Sequence, residues 1–238
     1  LVFIGAGAVV ANSLSDGAVG ILGIAIAHGL ALAAMVYAIG NVSGCHINPA
    51  VTLAFLAGRK ITLRTAISYI VSQLIGAALA GIALFIIFPS APVWVGYGAT
   101  ALGEGVSSAT GILIELILTF LLAFTIFSVA TDKRNQTVAS GLVIGMTLAM
   151  SIIVGATSTG AALNPARSFG PLFGATLREL AVSIPTTGIG YDLVAIASKY
   201  FANHYIYWIG PVAGALLAFL VYSKIFGEES RSKGRRKK

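Results

Sequence analysis

Charge is what this chain has least of. Only 10% of its 238 residues are Asp, Glu, Lys or Arg, against about 25% in an average soluble domain, which excludes an ordinary water-facing surface. Its single cysteine, Cys45, excludes an intrachain disulfide. Three histidines and that one thiol show no metal-ligand spacing, and no catalytic constellation stands out. The glycine-rich stretches lie in apolar helical runs and lack a phosphate-binding lysine. Neither an enzyme nor a cofactor site is expected. Hydrocarbon fills the chain instead: 57% of residues are hydrophobic and the mean hydropathy is +0.93. Several apolar stretches reach roughly 20 residues, enough to cross a hydrocarbon core of about 30 Å as helix. The composition is that of an all-α integral membrane protein whose partner is the lipid bilayer.

The pattern predicts six crossing helices and two half-length ones. Residues 1–11 are apolar but cover only half a span, with no charged stretch before them, so the expectation is a first helix truncated at its N-terminal side rather than a signal peptide. Further crossings are expected at about 18–39, 62–88, 107–130, 137–156 and 205–226. A polar insertion is expected over 175–203. The half-length segments each hold the tripeptide Asn-Pro-Ala, at Asn48-Pro49-Ala50 and Asn164-Pro165-Ala166, 116 residues apart. Their lead-ins align, Ser43-Gly44-Cys45-His46-Ile47 against Thr159-Gly160-Ala161-Ala162-Leu163. The expectation is one domain over 1–226, built from repeats at about 1–88 and 107–226, followed by a basic tail at 227–238. Three crossings per repeat, an odd number, make the repeats inverted. In that topology twelve of the fifteen Lys and Arg fall on one side, which the positive-inside rule makes cytoplasmic. The net charge of +7 then reads as a topology and headgroup anchor, not a nucleic-acid site.

Polar, backbone-breaking residues at membrane depth are tolerated only where they line a cavity or are buried in protein. Asn is a preferred helix N-cap and Pro a preferred first helical residue, so each tripeptide reads as a helix start. From Pro49 to Ala57 is about 13.5 Å of helix, half the core. The second copy contains Pro171, which predicts a kink or end near Gly170. If each Asn oxygen caps its own helix, its NH₂ group is left as a free donor. Asn48 and Asn164 then aim donors at one spot, where the positive ends of both helix dipoles also converge. Such a spot suits a neutral hydrogen-bond acceptor and repels cations. Arg167, directly after the second motif, is a costly intramembrane charge and so a candidate lining residue.

These residues, with Val51-Thr52, Ser168-Phe169-Gly170-Pro171, Gln73, Gly76-Ala77, Glu115 and Tyr207-Trp208-Ile209-Gly210-Pro211, resemble the aquaporins of the major intrinsic protein family along essentially the whole chain. The lead-in from Tyr37 to Thr52 looks most like archaeal aquaporins. The resemblance implies an aquaporin-like fold, a homotetramer in the plasma membrane with a cytoplasmic C-terminus, and a passive water channel. Half-helix dipoles and an Arg that exclude protons and cations are the general scheme of aquaporin-type pores. By family spacing it also implies a selectivity filter of His28, Ile152, Ala161 and Arg167. Ile152 departs from strict water channels, which have His there. The set looks more like plant vacuolar aquaporins, associated with ammonia and urea besides water, whereas Ser168 and Tyr207-Trp208 fit the water branch rather than the glycerol branch. His46, Gln73 and Glu115 are expected to anchor the re-entrant loops, and Cys45 to face the pore. Glu115's repeat counterpart would lie in the missing part of the first helix. Two alternatives stand beside the water channel: a glycerol, urea or ammonia facilitator, and an ion-coupled secondary transporter with broken-helix repeats, which needs a carboxylate or carbonyl cation site.

Overall fold

A computed structural model describes the backbone of residues 1–132, 134–135, 137–187 and 193–235, and the side chains of these residues except 94, 183–187, 193–195, 197 and 227–235. The described residues form helices α1 (Val2–Leu14), α2 (Gly20–Ser43), α3 (Pro49–Ala57), α4 (Leu63–Ile87), α5 (Ser108–Ile126), α6 (Ser140–Thr159), α7 (Pro165–Thr187), α8 (Leu193–Phe201) and α9 (Ile206–Arg235). A 3₁₀ segment, Val93–Gly98, follows α4, and α5 runs on through a π turn, Phe127–Thr131. Among the described residues five stretches are long and apolar enough to span a membrane: Gly20–Ser43, Leu63–Ile87, Ser108–Thr131, Ser140–Thr159 and Ser198–Phe226. Their outward faces carry bare hydrocarbon, including Leu22, Leu30, Val42, Ile86 and Val154, as lipid requires and water would penalise.

Local chemistry sets the helix ends. Thr62 and Ser107 cap α4 and α5 by accepting the Thr65 and Thr110 backbone N–H groups. α2 and α6 both stop at a left-handed glycine, Gly44 at φ 76° and Gly160 at φ 77°, a conformation that costs a residue without Cβ least. Without a hydrophobic drive inside lipid, helices associate where small residues let backbones meet. α2 meets α6 at Gly29 and Gly145: a Cβ on Gly29 would stand 2.5 Å from the Gly145 carbonyl oxygen. α4 meets α7 at Gly81, Gly170 and Gly174, and α5 meets α9 at Gly210 and Gly214, with similarly impossible clearances for any side chain. The glycine pairs at 141/145 and 210/214 thus serve contacts within one chain.

Five expectations change. α2 continues past Ile39 to Ser43, and α1 to Leu14. Pro171 does not end the second half-length helix, because α7 continues to Thr187. An interior proline costs about 3 kcal/mol, but Gly170 and Gly174 seat α7 directly on the α4 backbone, and that packing outweighs the local preference. The insertion at 175–203 is therefore the second half of α7 plus α8, with 188–192 outside the described residues. The basic tail continues α9 to Arg235; Lys133 and residues 236–238 lie outside the described residues.

Candidate functional site

The loops leading into α3 and α7 have the same backbone. Gly44, Cys45 and Ile47 lie at φ 76°, 49° and 49°, and Gly160, Ala161 and Leu163 at 77°, 44° and 53°. Left-handed non-glycine residues cost on the order of 1–3 kcal/mol each, so something must hold them. Each asparagine does part of this. Asn48 Oδ1 accepts the Ala50 N–H at 2.9 Å, and Asn164 Oδ1 accepts those of Ala166 at 2.9 Å and Arg167 at 3.2 Å. Their amide nitrogens cross between the loops: Asn48 Nδ2 donates to the Leu163 carbonyl at 2.8 Å, and Asn164 Nδ2 to the Ile47 carbonyl at 2.8 Å. The NH₂ groups are therefore not wholly free, contrary to the expectation from sequence. One hydrogen of each is consumed stapling the α3 and α7 N-termini together, and one remains. The sequence could not supply the acceptor, a carbonyl more than a hundred residues away.

The two loops are anchored by different chemistry. Behind the second, Glu115 of α5 is fully buried. Its Oε1 accepts the Thr159 hydroxyl at 2.7 Å and the Ala162 N–H at 2.9 Å, and its Oε2 the Leu163 N–H at 2.7 Å. Tyr207 donates to the Thr159 carbonyl at 2.9 Å. Behind the first, the hub is the Thr52 hydroxyl, which donates to the Asn48 carbonyl at 2.9 Å. Having one hydrogen, it accepts from Gln73 Nε2 at 3.0 Å and from His46 Nδ1 at 3.2 Å, which puts the His46 proton on Nδ1. Tyr69 donates to the Ser43 carbonyl at 2.8 Å.

Arg167 follows the α7 cap. It is buried, and Nη1 donates to the Gly98 carbonyl at 2.8 Å, while Nε has no hydrogen-bond partner among the described residues. His28 of α2 donates from Nδ1 to the Ile24 carbonyl at 2.9 Å, as a carbonyl can only accept, so in the neutral ring Nε2 is a lone-pair acceptor, and it too has no partner among the described residues.

Two cavities meet at these residues. The inner, about 50 Å³, is bordered by Cys45, Asn48, Leu163 and Asn164, room for one or two waters at about 30 Å³ each. The outer, about 310 Å³, is bordered by Ile24, Gly98, Thr100, Ile152 and Gly160. His28 and Arg167 border both. Ile152 thus sits on the outer side. Ala161 borders neither; it is fully buried, and a Cβ on Gly155 would stand 3.0 Å from its own.

The profile of the major intrinsic protein family matches residues 1–222. The chain belongs to the major intrinsic protein family. It is 37% identical over 215 residues to Aquaporin-4 of Mus musculus, covering 90% of this chain and 59% of that protein. It is 37% identical over 222 residues to the lens fiber major intrinsic protein of Ovis aries, covering 93% of this chain and 74% of that protein. The aquaglyceroporin from Plasmodium falciparum shares the fold at a TM-score of 0.77 and 22% identity, covering 94% of this chain and 90% of that one. The chain thus spans well under two thirds of the length of the Aquaporin-4 relatives.

Some residues of this major intrinsic protein site carry no sequence signal. Gly98 acts through its carbonyl, which any residue has. Thr52 and Thr159 were legible only as members of the motif and of the repeated lead-in, not as the partners of Gln73 and Glu115. A third brace was also unreadable: Trp208 Nε1 donates to His204 Nε2 at 3.1 Å, so His204 Nδ1 donates to the Ser168 hydroxyl at 3.1 Å, and Ser168 donates to the Pro165 carbonyl at 3.2 Å. That chain ties α9 to the first turn of α7.

Proposed function

We propose that this chain is a passive transmembrane channel for water, with passage of small neutral solutes and exclusion of protons and ions. The observation that carries the reading is the joined pair of helix N-termini at the inner cavity. Asn48 and Asn164 each retain one amide hydrogen there, beside the positive ends of α3 and α7. A water passing between them turns its oxygen to the amides and its hydrogens away, which interrupts a proton-conducting file. Arg167 adds a fixed positive charge at the junction of the two cavities.

Asn48-Pro49-Ala50, Asn164-Pro165-Ala166, His28 and Arg167 are the pore residues in this reading, with Ile152 on the outer side and Ala161 shaping the loop through its backbone. An apolar Ile152 in the outer wall favours passage of ammonia or urea besides water. A cation-coupled transporter is disfavoured because Glu115, the carboxylate it would need, already accepts three hydrogen bonds. The protein is proposed to act as a homotetramer in the plasma membrane, its C-terminus cytoplasmic. The test is stopped-flow light scattering of proteoliposomes. Water flux above empty vesicles, independent of proton or sodium gradients, supports the channel; saturable flux that follows such a gradient overturns it.

A further inference from the structure

Helix α1 contributes no polar side chain to either cavity, yet its packing decides where His28 stands. Leu1 borders the inner cavity and Val9 the outer. Gly5 lies between them at i, i+4 spacing on the same helix face, in register because the Gly5 N–H bonds to the Leu1 carbonyl at 2.9 Å. The His28 imidazole fills the gap left there. A Cβ on Gly5 would stand 2.3 Å from its Cδ2 and Nε2 and 2.7 Å from its Cε1, far inside van der Waals contact. Across the ring, Nδ1 is tied to the Ile24 carbonyl. The next residue places the other bordering group: Gly98, whose carbonyl holds Arg167, comes so close to Ala6 that a Cβ on it would meet Ala6 at 2.9 Å.

We propose that Gly5 is a specificity-determining residue of the constriction. Its missing side chain lets the His28 ring recess into α1, and that recess sets the aperture between His28 and Arg167. The inference rests on the channel reading. A side chain at position 5 displaces the ring, and the open space beside it is the two cavities that His28 borders, so the displaced ring narrows the passage between them.

The test compares full-chain proteoliposomes of wild type, Gly5→Ala, Gly5→Ala with His28→Ala, and Gly7→Ala. Gly7 is a control on the same helix, where a Cβ meets only the flexible end of Leu84 at 3.3 Å. Gly5→Ala is expected to lower water flux several-fold and urea flux, where wild type passes urea, more steeply. Removing the His28 ring in the double variant restores both, and Gly7→Ala matches wild type. Unchanged flux in Gly5→Ala, or a loss that the double variant does not relieve, overturns the proposal. A second readout does not depend on transport: the His28 Nε2 resonance of ¹⁵N-histidine-labelled protein shifts in Gly5→Ala and not in Gly7→Ala. If wild-type vesicles pass no more water than empty ones, the channel reading fails by itself, and an unshifted resonance then rejects the seating of His28 on Gly5.

Discussion

Replacing Glu115 by Gln removes one negative charge and one acceptor while keeping the side chain's shape. The buried carboxylate satisfies three donors, the Thr159 hydroxyl and the Ala162 and Leu163 N–H groups. An amide has one acceptor oxygen, so in either orientation its NH₂ faces a backbone N–H. With the oxygen at the Oε1 position, Leu163 loses its acceptor; with the oxygen at Oε2, Ala162 does. A buried donor left unsatisfied costs about 1–3 kcal/mol. That sum falls on a loop already strained at Ala161 and Leu163, and the Leu163 carbonyl is the acceptor for Asn48. At roughly tenfold per 1.4 kcal/mol, the ordered loop loses about 5- to 150-fold in population against its displaced forms. The assay pairs thermal unfolding in detergent with water flux at matched protein density in vesicles. Glu115→Gln is expected to unfold at lower temperature and to conduct less, and Glu115→Asp, too short to reach both N–H groups, to do the same. A Gln variant with wild-type stability and flux would refute the anchoring role.

Arg167→Val is expected to admit larger solutes or cations, since it deletes the fixed charge at the cavity junction; unchanged selectivity in vesicles removes Arg167 from that role. Cys45 borders the inner cavity, so mercurials are expected to inhibit water flux and Cys45→Ser to be insensitive; equal inhibition of both proteins places the reactive group elsewhere. At the end of α5, Asp132 accepts hydrogen bonds from Arg134 and Tyr222, which hold its carboxyl well below the usual carboxylate range. A depressed folded-state value means that its contribution is complete above the unfolded value near 4 and fades only as the pH falls through the lower folded value. Lowering the pH from 7 to 5 should therefore leave this loop contact intact, and Tyr222→Phe should raise the Asp132 carboxyl's titration as followed by NMR.

What was legible in the sequence was local. Asn48-Pro49 and Asn164-Pro165 announce helix starts because capping and the fixed proline φ act within a few residues. The spans follow from the length of apolar runs. What failed needed a distant partner. Pro171 suggested a stop, but the Gly81–Gly170–Gly174 contact carries α7 past it. The asparagine NH₂ groups looked free because their acceptors, the Ile47 and Leu163 carbonyls, belong to the opposite loop. Gly98 is a backbone partner with no side chain to notice, and Gly5 matters through what it lacks. His28 was selected by family spacing and Arg167 as an intramembrane charge beside the second motif, whereas their common border on both cavities is a tertiary fact.

The most direct measurement is osmotic water permeability of proteoliposomes holding the wild-type chain, recorded with internal pH under an imposed proton gradient. The account predicts fast shrinkage relative to empty vesicles with no added proton leak. Permeability equal to that of empty vesicles, or water flux accompanied by proton flux, would contradict the joined asparagine caps as a water-passing, proton-blocking site.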